Sequence, residues 1–273
     1  MTEQAELLSQ PKRLGVLTAL PEEAAGVVSR LTYVRTVDAV HPHTVHAGLL
    51  EGLETVVMSG RVGKASAAIG ATRLALEHRC DAVVFVGVAG GLDPVMCVGD
   101  AAIAEACAQH DVDASPLFPP CEVPLTGITR FGVDRHLTDL LDTAATEAAR
   151  QLRQRVDGAV LASLKIEPDQ ANIARGLVVS GDQFIESRDT QREILELLPG
   201  ALVVDMETAA AAQACHELAV PFAAVRLVSD SANDTAAIDF MRYLTEVASP
   251  HLGLIAERFA AKLAAPKLQE NTP

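Results

Sequence analysis

Two kinds of apolar pattern alternate along the chain. Short, nearly unbroken runs of Val, Leu, Ile and Ala fall at Arg13–Leu20, Asp81–Gly87, Gly176–Ser180, Ala201–Val204 and Phe222–Val228. Runs of this length without polar alternation are the pattern of strands covered on both faces. Thr44–Leu49 and Thr55–Ser59 read as two more strands, with Glu51-Gly52 as the hairpin turn between them, and Asp100–Gln109 is strand-like. Longer stretches with helical spacing start at Pro21 and cover Gly63–Arg79, Asp134 to about Arg155, Ser187–Leu198, Met206–Leu218 and Ala237–Ala264. Strands alternating with helices predict an α/β fold: a three-layer α/β/α sandwich, doubly wound on a central mixed, mostly parallel sheet. The expected division is a flexible leader over 1–12, a single domain over 13–265 and a tail over 266–273.

Local signals sharpen this. Pro21 suits a first helical position, and Glu22 and Glu23 follow it in the turn where acids suit the helix dipole. A turn over Ala89–Pro94 is expected to end the strand before it. Residues 116–130 hold four prolines and no period. That is a loop, and a long loop inside a compact domain is often functional.

Composition removes several function classes. The net charge of −14 leaves no basic footprint for nucleic acid, and an anionic membrane would repel it. Five cysteines, an odd number without a CxxC motif, fit reduced thiols in a cytoplasm better than a disulfide framework. The first residues carry no apolar signal-peptide core, and no apolar run reaches membrane-spanning length without a charge or turn.

Several candidate chemistries fail on their own terms. Gly60–Ser66 resembles a phosphate loop, but Met58 stands where the first Gly is needed and Ala65 follows Lys64. His41, His43 and His46 lack the cysteines or carboxylates that complete a tetrahedral zinc site. His110, Asp111 and Asp113 read better as loop capping than as metal ligands. The carboxylates are different. Glu23, Asp182, Glu207 and Asp230 each sit just beyond an apolar strand. Ligands of open α/β sheets bind at the carboxyl ends of strands, where desolvated acids become proton donors or bases. The alternative is that each caps the helix that follows it.

Seven segments then occur in order: Gly15–Glu23 (GVLTALPEE), Ser59–Lys64 (SGRVGK), Gly87–Leu92 (GVAGGL), His110–Asp113 (HDVD), Val179–Ile185 (VSGDQFI), Val204–Glu207 (VDME) and Arg226–Asp230 (RLVSD). They resemble the successive motifs of the methylthioadenosine/S-adenosylhomocysteine nucleosidases, within the purine nucleoside phosphorylase superfamily, from about residue 13 to 262. The resemblance implies hydrolysis of the N-glycosidic bond of an adenine nucleoside, with 5′-methylthioadenosine and S-adenosylhomocysteine as leading substrates. It implies Asp230 as the acid at adenine N7, Glu23 as the base toward water and Glu207 as the ligand of the ribose hydroxyls. Phe184 matches the aromatic that stacks on adenine. The backbone of Ile185 would read the base edge, Met206 would pack on the sugar and Ser229 would orient Asp230. Val88 and Ala89 would line the site, and Phe118 in the Pro-rich loop the pocket for the 5′ group. A homodimer is implied; no cofactor, no metal and no macromolecular partner is.

Two positions depart from the family. Val88 stands where a Ser is usual, so its side chain cannot hydrogen-bond phosphate, water or the acid on that water. Arg61 lies in a segment one residue longer than usual and could hold an anion. Three rivals therefore remain: phosphorolysis on the same fold, hydrolysis of another 5′-substituted adenosine of futalosine type, and a nucleoside-binding protein without catalysis.

Overall fold

The computed structural model describes residues 11–38, 44–164, 166, 172–230 and 236–265, apart from the side chains of 153–155, 230 and 236–239. Among these residues the strands are β1 (Arg13–Thr18), β2 (Thr32–Asp38), β3 (Thr44–Leu50), β4 (Leu53–Ser59), β5 (Ala82–Gly91), β6 (Ala101–Gln109), β7 (Phe131–Gly132), β8 (Ile173–Ser180), β9 (Ala201–Asp205) and β10 (Phe222–Asp230). The helices are α1 (Pro21–Val28), α2 (Lys64–Leu76), α3 (Arg135–Arg155), α4 (Gly158–Ser163), α5 (Arg188–Leu197), α6 (Thr208–Glu217), α7 (Ala236–Tyr243) and α8 (Ser249–Ala264).

The sheet is mixed. β1 runs parallel to β4 and β5, β5 to β10, β6 to β8 and β8 to β9, while β2–β3, β3–β4, β6–β10 and β5–β9 are antiparallel. The expected open sheet is corrected in one respect. β5 pairs in turn with β1, β10 and β9, so β5, β10, β6, β8 and β9 close back on themselves. The expected turn over Ala89–Pro94 is replaced in its first half by strand. Gly90 and Gly91 continue β5 because they find partners in Val204 and Val203, and only at Leu92 and Asp93 do the amides turn to Leu202 O.

Alternate residues of the strands feed two cores. Leu14, Val16, Val84, Val86, Val225 and Leu227 pack with α1, α3 and α8. Leu17, Val83, Phe85, Ala224 and Val228 pack with α2 and α6, whose buried faces are mostly Ala and Gly. Such small residues let backbone approach backbone. At the α1–α8 crossing a Cβ on Gly26 would lie 1.8 Å from Ser249 O.

Most elements fall where the patterns place them. The hairpin turn holds, with Glu51 and Gly52 at φ +49° and +81°, the left-handed values of the tight turn that matches strand twist. β2, β7 and α4 are additions. β2 is solvent-exposed along most of its length and has no apolar face to reveal it. The helix expected over Ala237–Ala264 is divided. A π-helical stretch at Leu244–Ala248 separates α7 from α8, which starts anew at Ser249-Pro250, where Ser249 Oγ donates to Glu22 O.

Candidate active site

The first turn of α1 aims Glu23 inward. The carboxylate is buried, at 1 % exposure, and both oxygens are gripped by main chain. Oε2 accepts from the N–H of Ala19 (2.8 Å) and Leu20 (2.9 Å), and Oε1 from the N–H of Val88 on β5 (2.9 Å). Glu23 therefore caps its own helix and also ties the end of β1 to β5. Burial pushes its pKa up, against the Arg226 charge and the three N–H donors.

Arg226 lies within β10 and is wholly buried. Nε donates to Thr208 Oγ1 at 2.7 Å, Nη2 lies 2.8 Å from Asp205, and the guanidinium stacks on Phe85 at 3.9 Å. Nη1 has no hydrogen-bond partner among the described residues. It lies over Gly87, where an added Cβ would be 2.0 Å from Nη1 and 2.7 Å from Glu23 Oε1. Glycine at 87 is what lets the Glu23 carboxylate and the guanidinium converge. Arg226 is the main residue that sequence reasoning assigned no role. The signal was present: a lone cation inside a buried-type strand needs charged partners.

Asp205 frees Glu207 for other work. It accepts from Ser180 Oγ, Thr208 Oγ1 and the Thr208 N–H, while Ser180 Oγ accepts from the Ala209 N–H, so α6 is capped without Glu207. Glu207, 5 % exposed, turns instead to α2 and accepts from the Gly63 N–H at 2.8 Å. Its pKa rises to about 7. Burial is the chief cause and Asp205 the next, opposed by Arg226 and the Gly63 N–H. The segment that resembled a phosphate loop thus has carboxylate partners. Gly63 N–H serves Glu207, and Lys64 N–H donates to Asp182 at 2.8 Å. Asp182, unlike the buried Glu23 and Glu207, is exposed, and it caps a helix that is not the one following it in sequence.

The remaining expected residues divide. Ser229 Oγ donates to Ala89 O at 3.3 Å, and the backbone of Asp230 pairs with Gly90 past an irregularity in β10; the Asp230 side chain lies outside the described residues. Ala89 and Ile185 are buried and Met206 is half-buried. The Val88 side chain packs against the α1–α3–α8 core while its N–H holds Glu23, so contact with that acid does not require a hydroxyl here. Phe184 is 64 % exposed and so is not part of the core. Phe118 is half-buried in the Pro-rich loop, and Arg61 is exposed at the start of the loop into α2.

His41 and His43 lie outside the described residues, and His46 Nδ1 sits 3.3 Å from Thr36 Oγ1. Asp38, Glu77 and His78 are close enough together to share an ion, but Arg73 already donates to both carboxylates. The five cysteines are free thiols, four of them buried. No helix among the described residues is long and apolar enough to cross a membrane.

A mixed α/β sheet with buried acids just past its strands and a buried arginine within one of them defines a class. The chain belongs to the phosphorylase superfamily, whose family model matches residues 13–261. Its relatives are narrower than the class. Over 235 residues it is 32% identical to the 5′-methylthioadenosine/S-adenosylhomocysteine nucleosidase of Staphylococcus aureus (strain bovine RF122 / ET3-1), covering 86% of this chain and 93% of that protein. Among solved structures, the corresponding nucleosidase of Neisseria meningitidis, in complex with methylthio-immucillin-A, has a TM-score of 0.78 at 30% identity and covers 92% of this chain and 99% of its own. That of Colwellia psychrerythraea 34H, in complex with adenine, has a TM-score of 0.78 at 27% identity and covers 93% and 96%.

Proposed function

We propose that this protein hydrolyses the N-glycosidic bond of adenine nucleosides, foremost 5′-methylthioadenosine and S-adenosylhomocysteine, and releases adenine. The observation that carries the reading is the buried cluster of Glu23, reached just past β1, Glu207, just past β9, and Arg226, within β10. The relatives and their ligands supply the substrate class.

The chemistry follows from the charges. Adenine leaves poorly as an anion. Asp230 gives a proton to N7, the C1′–N9 bond breaks with its electron pair going to the base, and the sugar becomes oxocarbenium-like. Glu207 accepts hydrogen bonds from the ribose hydroxyls and offsets that charge. Glu23 takes a proton from the water that attacks C1′; Arg226 Nη1, beside it, orients the same water and helps hold Glu23 ionised. Phe184 closes over adenine, Ile185 reads its edge, Met206 and Ala89 shape the sugar site and Ser229 orients Asp230. Phe118 belongs to the 5′ pocket. The same reading includes one domain over 13–265 in three α/β/α layers, a homodimer and a cytoplasmic location; the two cores fed by alternate strand residues support the layers.

Water is preferred to phosphate as nucleophile because Val88 offers no side-chain donor and Glu23 stands ready as a base. The test is adenine release from 5′-methylthioadenosine, S-adenosylhomocysteine and adenosine, with and without phosphate, for the wild type and Asp230→Asn. Phosphate-independent release that falls about 10²- to 10⁴-fold in the variant is expected. Strict dependence on phosphate would instead make the protein a phosphorylase, with Arg61 as the suspected anion ligand.

A further inference from the structure

Three segments distant in sequence meet beside Glu207. They are the start of α2, the His110-Asp111 loop after β6 and the Gly181-Asp182 loop after β8. Lys64 Nζ donates to Asp111 Oδ1 at 2.6 Å, in an ion pair whose side chains are 17% and 18% exposed. Asp111 Oδ2 accepts from the Asp182 N–H at 2.8 Å. Asp182 Oδ1 accepts from the Lys64 N–H at 2.8 Å, which closes a ring of three contacts. The next amide, that of Gly63, is the one on Glu207. The backbone is shaped for this. Gly63 sits at φ +105°, where a side chain would be strained. A Cβ on Gly181 would come within 3.0 Å of the Asp111 carboxyl carbon and 2.3 Å of His110 Nε2.

We infer that Lys64 and Asp111 are positioning residues, a latch that locks the Gly63 N–H onto Glu207 and holds the 181–185 loop bearing Phe184 and Ile185 against α2. The latch gives Lys64, which follows Gly63, and Asp111, at the start of its loop, a shared structural task. The inference rests on the proposed role of Glu207 at the ribose. Glu207 is faced by Asp205, Glu23 and Arg226 as charged groups, and by the Gly63 N–H as the donor that holds its pKa down. Weakening the latch therefore loosens that donor, and less of Glu207 is ionised near neutrality.

The test uses full-length Lys64→Met, Asp111→Asn, the double variant and Lys64→Arg, each checked for folding by circular dichroism. Hydrogen exchange of the ligand-free protein is expected to quicken over 60–64 and 181–185 in both single variants. Their kcat/KM for adenine release should fall about 10-fold or more. The acidic limb of the pH profile should move upward. The double variant should be no worse than the poorer single, because the two side chains act as one unit, and Lys64→Arg should recover most of the loss. Unchanged exchange in these segments, or an unchanged kcat/KM and pH profile, overturns the latch. A wild type that releases no adenine overturns the nucleosidase reading instead, while the exchange data still decide whether the pair fixes Gly63.

Discussion

Arg226 and Arg13 each reach a carboxylate at nearly the same distance, Asp205 at 2.8 Å and Glu54 at 2.7 Å. Their surroundings are opposite. The side chains of the first pair are 0% and 2% exposed, beneath the site and beside Glu23 and Glu207. Those of the second are 39% and 57% exposed, at the rim of a cavity of about 360 Å³ shared with Tyr33, Arg35, Leu49 and His78. The open cavity has the volume of a ligand site, but its charges are wet. The buried cluster has desolvated charges fixed by main-chain N–H groups, so a change at one is felt by all. Charge kept out of water and held rigid separates the two regions; contact distance does not.

The sharpest way to break this comparison is Arg226→Met. It leaves Asp205, Glu23 and Glu207 without their cation, and a loss of about 3–5 kcal/mol in urea unfolding is expected, with adenine release abolished. A variant as stable as wild type would deny that the cluster is electrostatically coupled.

Glu207→Gln comes next, and its sign is informative. Glu207 has a folded-state pKa above its unfolded value, so the stability linked to it is present at low pH and is lost as pH rises toward and through about 7. Removing the ionisable group should therefore raise Tm at pH 8, by about 3 °C, with the gain shrinking toward pH 5. Adenine release should fall at every pH. A Tm difference between variant and wild type that does not change with pH would remove the argument that burial charges this carboxylate with strain.

The smallest effect belongs to the exposed pair. Arg13→Met should cost less than about 1 kcal/mol and leave kcat/KM unchanged. A large loss of activity there would promote the open cavity to a functional region.

Part of the site was legible in the residues. Short apolar runs ending in Glu23, Glu207 and Asp230 place acids at strand ends whatever the strand order. The order of the seven motifs told the superfamily. Arg226 was written in the chain as a charge amid Ala, Val and Leu, but its role depends on Gly87, 139 residues earlier, leaving room above Phe85. The latch was less legible still. Lys64 opens α2 while Asp111 and Asp182 lie in two separate loops, and hydrogen bonds between such distant segments leave no periodicity in sequence.

By itself the sequence determined the alternation of strands and helices, the acids at the strand ends and the superfamily, because these depend on local pattern and motif order. The tertiary structure decided the rest. It turned Glu207 from its own helix to the Gly63 N–H, gave Glu23 a third amide from Val88, and closed the sheet through Gly90 and Gly91. Those outcomes depend on which distant amide reaches which carboxylate once water is excluded, and only packing sets that.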